Sequence, residues 1–121
     1  MVLATSNPAK QLLCVSYIEK VQADDLKRSR EDLKVLLANL SPGFRLLVDL
    51  TRLESMGREC APEIGQLMDL IDQGGVSLVV RVIPDPKKDI GMNILTIFHY
   101  RHRPRLVTCE NLTDAASELA L

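Results

Sequence analysis

Residues 76–83 read VSLVVRVI, closed off by Gly74-Gly75 on one side and Pro84-Asp85-Pro86 on the other. Valine and isoleucine are stiff at χ1 and pack well on a pleated surface, so this stretch is a strand. Apolar side chains fall on both faces of the alternation, as in a strand buried inside a parallel sheet rather than one wetted on one side. A parallel neighbour needs a crossover of a dozen or more residues, so the flanks decide the fold.

Upstream, Ile64, Leu67, Met68 and Ile71 recur at i, i+3, i+4 and i+7, a buried helical stripe. Pro62 suits the first turn of that helix, which starts near Cys60 or Ala61 and leaves at Gly74-Gly75. Before it, Phe44 to Leu50 (FRLLVDL) is a short apolar strand, followed by a loop from Thr51 to Glu59. Asp24 to Leu40 is a further helix, with Leu26, Leu33, Leu37 and Leu40 along one side, stopped by Ser41-Pro42-Gly43. Gln11 to Ile18 (QLLCVSYI) is an interior strand, and Val2 to Thr5 could pair with it across the turn at Asn7-Pro8. Downstream, Ile90, Ile94, Ile97 and Phe98 mark a helix from Lys88 to Tyr100, and Arg105 to Cys109 is the last strand. Thr113 would cap a terminal helix carrying Ala116 and Leu119 inward. The alternation implies one α/β domain over 1–121, with residues 1–10 as a short extra strand and turn, and a mostly parallel sheet covered by helices.

The 121 residues are 46% hydrophobic and 26% charged with a net charge of −1, the balance of a globular chain rather than of a disordered tail or a basic nucleic-acid clamp. No apolar run approaches the roughly 20 residues of a membrane span, and Met1 to Pro8, without a basic cluster followed by an apolar stretch, does not read as a signal peptide. Cys14, Cys60 and Cys109 are too few and too scattered for a disulfide framework, which points to reduced thiols and a cytoplasmic location. Aromatic residues are only 3%, leaving few platforms for stacking bases.

In this order of elements the chain resembles the STAS-type, SpoIIAA-like domain family of sulfate transporters and anti-sigma-factor antagonists. The likeness rests on Asp24-Asp25-Leu26 through Leu40, on Leu46-Leu47-Val48-Asp49-Leu50-Thr51, on Gly75 through Ile83, and on Val107 to Leu119. It implies the SpoIIAA-like fold and a regulatory or binding module. In that family an acidic-Ser-x-Gly signature opens the second helix, and its serine is a phosphorylation switch. Glu54-Ser55-Met56-Gly57 has those letters, yet Pro62 sets the helix start several residues later and leaves Ser55 in the loop.

The candidate sites follow from chemistry. A phosphate on Ser55 could remodel a docking surface, the alternative being a solvated loop serine. Ligands in open α/β sheets gather beyond the carboxyl ends of strands, so Thr51, Glu54 and Gly57 with Asp85, Lys87 and Lys88 would form a binding rim. Residues 81–105 carry six bases against two acids, and Arg101, Arg103 and Arg105 could hold an anion or simply form a charged exit. Cys60 near a helix start could be a reactive thiol, against the plainer reading of a packed cysteine. His99 and His102 could share a metal only if Cys109 joined them, and the surrounding arginines would repel the cation, so neither metal nor cofactor is expected. No nucleophile-base arrangement has a supporting motif, which argues against an enzyme. The expectation is therefore a non-enzymatic module docking a protein partner, with no nucleic acid and no membrane span, and with a homodimer left open. The rivals are a carrier of an apolar or anionic small ligand, with Sec14-like topology, and an enzyme using Cys60.

Overall fold

A computed structural model describes residues 1–85 and 100–120. The expected helix from Lys88 to Tyr100, with Lys87, Lys88 and His99, lies almost wholly outside the described residues. The strands are β1 (Val2–Asn7), β2 (Leu12–Tyr17), β3 (Glu19–Val21), β4 (Arg45–Asp49), β5 (Leu53–Met56), β6 (Leu78–Val82) and β7 (Arg105–Cys109). The helices are α1 (Ala23–Leu37), α2 (Ala61–Gln73) and α3 (Leu112–Glu118).

Five strands form one sheet in the order β1-β2-β4-β6-β7. β1 is antiparallel to β2, and the other three ladders are parallel. The α/β reading of the sequence therefore describes the main sheet, with β1 as the anticipated extra strand, now reaching Asn7. VSLVVRVI supplies β6 between β4 and β7, where both faces are covered. Leu13, Leu46, Val79 and Leu106 stand side by side across the register. Their face packs under α1 through Leu26 and Leu33, and under α2 through Ile64, Leu67, Met68 and Ile71. Leu12, Val80, Val82 and Cys109 turn the other way and meet Ala115 of α3 and Leu119 just past its end.

Helix boundaries follow local chemistry. At the start of α1 the Gln22 N–H donates to the Asp25 carboxylate at 2.9 Å, satisfying a donor that the helix leaves free. α1 ends at Leu37, three residues before the sequence expectation, because Asn39 and Leu40 close i to i+3 turns onto Leu36 and Leu37. Gly75 leaves α2 at φ +88°, and a Cβ there would lie 3.0 Å from that of Pro42, so only glycine fits between the two turns.

Two expectations are corrected. The N-cap of α3 is Asn111, not Thr113: its side-chain oxygen accepts the Asp114 N–H at 2.8 Å, and the shifted frame buries Ala115 rather than Ala116. The stretch from Thr51 to Glu59 is not all loop either. Leu53–Met56 forms β5, which pairs in parallel with β3 as a separate two-stranded sheet. Glu-Lys-Val and Leu-Glu-Ser-Met have little β character of their own. Burial of Val21 and Leu53 in the core holds them side by side.

Candidate functional site: the carboxyl rim of the sheet

β4 leaves the sheet at Asp49, whose side chain fixes the exit. Its Oδ1 accepts the Thr51 N–H at 2.9 Å and the Thr51 hydroxyl at 2.7 Å, an Asx-type turn. Leu50 N–H then donates to the Val82 carbonyl at 3.0 Å, tying this exit to that of β6. Glu19 N–H donates to the Arg52 carbonyl at 2.8 Å and starts the β3–β5 ladder. Leu53 is buried while Glu54 and Ser55 face solvent, so this ladder is a small platform standing at the carboxyl ends of the main strands. A surface depression of about 310 Å³ is lined, among the described residues, by Leu53, Glu54, Ser55 and Met56.

Ser55 sits in β5 opposite Lys20 of β3, both exposed. It is therefore a strand residue, not the loop serine that the sequence suggested. A 3₁₀ turn, Arg58–Cys60, separates it from α2. Thr51, Glu54, Gly57 and Asp85 share this carboxyl side of the fold, with Asp85 just beyond the end of β6. Lys87 and Lys88 fall outside the described residues.

The arginine cluster belongs to the opposite pole. Arg105 pairs with Leu78, the first residue of β6, and so marks the amino end of the parallel strands. Its guanidinium reaches Glu118 of α3 at 3.8 Å. Arg101 is pinned elsewhere: its N–H and that of His102 donate to the Asp72 carboxylate of α2 at 2.9 and 3.3 Å. Asp72 was not singled out in the sequence, although an acid one turn beyond Met68 in a buried stripe was the available signal. It is 3% exposed, so losing these donors would strand a buried carboxylate. His102 Nδ1 stands 3.3 Å from the same carboxylate, whereas Cys109 lies at the far end of β7, so the two do not converge on one metal position.

Cys60 is 0% exposed and its thiol donates to the Val21 carbonyl at 3.5 Å. Burial, reinforced by Glu59, pushes the thiol above its ordinary range, the reverse of the activation expected from a helix start. Its burial and its bond to Val21 fit the plainer reading of a packed cysteine. Inside the core, Val15, Tyr17, Met68, Arg81 and Tyr100 border a cavity of about 20 Å³, room for one water and not for a lipid or metabolite. Arg81, hidden in the β-branched run, is 4% exposed and donates from Nη2 to the Thr108 hydroxyl at 2.8 Å.

No family model and no curated protein sequence matches this chain. Solved structures do resemble it. An uncharacterised protein of the DUF3478 family with a SpoIIAA-like fold, from Shewanella loihica, superposes with a TM-score of 0.68 at 15% identity, covering 98% of this chain and 92% of that one. The anti-sigma factor antagonist SpoIIAA in its unphosphorylated form gives 0.63 at 10% identity over 99% and 98%. An anti-sigma factor antagonist from Mycobacterium paratuberculosis gives 0.59 at 17% identity over 100% and 94%. The chain has the SpoIIAA-like fold. Among the described residues no helix is long and apolar enough to cross a membrane.

Proposed function

We propose that this chain is a non-enzymatic STAS-type regulatory module that docks a protein partner on the carboxyl rim, with Ser55 as its modifiable position. The observation that carries the reading is the β3–β5 platform, which holds Glu54 and Ser55 exposed on a strand paired to β3. Loops on a rigid scaffold are where binding residues concentrate, and the Asp49–Thr51 turn makes this one rigid. Two of the solved structures sharing the fold are described as anti-sigma factor antagonists, which supports a regulatory role for the same scaffold. A phosphate on Ser55 would add about two negative charges beside Lys20 and Glu54, reshaping the electrostatics of the platform without unfolding it. Among the described residues the core cavity has room for about one water, which supports docking over carriage of a small ligand, and the buried Cys60 speaks against covalent chemistry there.

The test is native purification of the chain with quantitative mass spectrometry, in parallel with a Glu54→Lys, Ser55→Trp double variant and an Arg103→Glu variant at the opposite pole. Loss of a stoichiometric protein from the rim variant alone is expected. A partner retained by the rim variant, or none captured by any of the three, would overturn the assignment.

A further inference from the structure

The two edges of the main sheet are built differently. β7 opens with Arg105, whose charge and contact with Glu118 guard that edge. β1, by contrast, is Val-Leu-Ala-Thr-Ser-Asn: six residues with no charge, proline or glycine, paired to β2 without a bulge. Natural sheets rarely leave so long an edge unguarded.

The ladder shows which groups are open. Met1 and Ile18 exchange both backbone hydrogen bonds, at 2.8 and 3.0 Å. Bonded and non-bonded pairs alternate along an antiparallel ladder, so Leu3, Thr5 and Asn7 bond inward to β2. The N–H and C=O groups of Val2, Ala4 and Ser6 then point outward from the sheet, and no described hydrogen bond uses them.

We propose that two copies of this chain join at β1, antiparallel about a two-fold axis, making one continuous sheet from two five-stranded ones. A strand paired with itself in this way is in register by symmetry. With the axis at Ala4, Val2 faces Ser6 of the second copy and Ala4 faces Ala4, so all the outward groups are matched. Leu3, 52% exposed, then packs beside Thr5 of the second copy on the outer face. Asp25 of α1 lies 3.6 Å from the amine of Met1, which places that flank of the helix beside β1. Arg28, which donates to Asp25 of its own chain at 2.7 Å, continues the same flank. The contact is isologous and closes at two, because the guarded β7 edge offers no site for a third copy. The start of β1 touches the carboxyl rim where the Met1 amine donates to the Lys20 carbonyl at 2.9 Å, but the pairing does not depend on a partner docked at that rim.

Sedimentation of the intact chain over about 1–500 µM tests the pairing. The weight-average mass is expected to rise with concentration from 13.5 kDa toward twice that value. Ala4→Pro removes an outward N–H, and Leu3→Lys puts a charge on the edge through an already exposed position. Both are expected to stay at 13.5 kDa with unchanged circular dichroism. Should Ala4→Pro unfold, Leu3→Lys decides alone. A wild type that stays monomeric over the whole range, or a folded Leu3→Lys that dimerises like wild type, would overturn the proposal; so would a monomer that binds only foreign strands.

Discussion

Replacing Asp49 by alanine tests whether the exit from β4 is what holds the rim. The carboxylate accepts two hydrogen bonds from Thr51, at 2.9 Å from the amide and 2.7 Å from the hydroxyl. Bonds to a charged acceptor contribute up to about 3 kcal/mol each, but this site is half-open and water replaces the carboxylate when it is removed, so about 1 kcal/mol each is appropriate. Asp49→Ala should therefore cost about 2 kcal/mol, while Asp49→Asn, which keeps an acceptor oxygen, should cost less than about 1 kcal/mol. In urea, with a slope of about 2 kcal/mol per molar, the alanine variant's midpoint should fall by about 1 M. Hydrogen exchange should show the amides of Leu53 to Met56 losing protection before those of β4 and β6, because the turn is local to the platform. An alanine variant with the wild-type midpoint and unchanged exchange over Leu53 to Met56 would refute the role given to this turn, as would an asparagine variant equally damaged.

Other perturbations follow from burial, capping and titration. Leu33→Ala, in the α1 stripe against the sheet, should cost about 3–5 kcal/mol in the same urea assay, whereas Val35→Ala at a position 67% exposed should change stability by less than about 0.5 kcal/mol. Asn111→Ala should cost about 1 kcal/mol, and Thr113→Ala close to nothing; equal losses would contradict the cap position. Burial raises the thiols of Cys14, Cys60 and Cys109 and the phenols of Tyr17 and Tyr100 above their unfolded values. Groups raised in the folded state contribute stability that is complete below the unfolded pKa and disappears as pH climbs, so the urea midpoint should fall above roughly pH 9, where thiols and then phenols ionise in the unfolded chain. An equal midpoint at pH 7 and about pH 10.5 would contradict these environments.

The parts legible in the sequence were those whose signal is local and repeated. VSLVVRVI could only be a buried strand, and Ile64, Leu67, Met68 and Ile71 could only face a core together; both occupy those places. Gly75 was readable because its left-handed backbone excludes other residues. The candidate site was half legible. Thr51, Glu54, Gly57 and Asp85 do lie on the carboxyl side, but Pro62, which sets the helix start beyond Ser55, says nothing of the strand that Leu53 to Met56 form, because four residues with two polar members carry no strand pattern. Arg101 and Arg105 looked like one patch from their spacing, yet one is held toward α2 and the other toward α3. Cys60 stands at a helix start, yet burial and then Glu59 push its thiol up, which sequence spacing alone does not show.

Taken alone, the order of apolar runs, helical stripes and turn residues determined a mostly parallel α/β sheet and the face each helix buries, because period and turn chemistry act between near neighbours. Only the tertiary structure decided the β3–β5 pairing, the burial of Asp72 and Arg81, and the separation of the rim from the arginine pole. Each of these depends on residues far apart in the chain, and side-chain type does not encode what will stand opposite it. A short polar segment becomes a strand when a partner is held at ladder distance, and a charge can be buried when distant donors or acceptors meet it there.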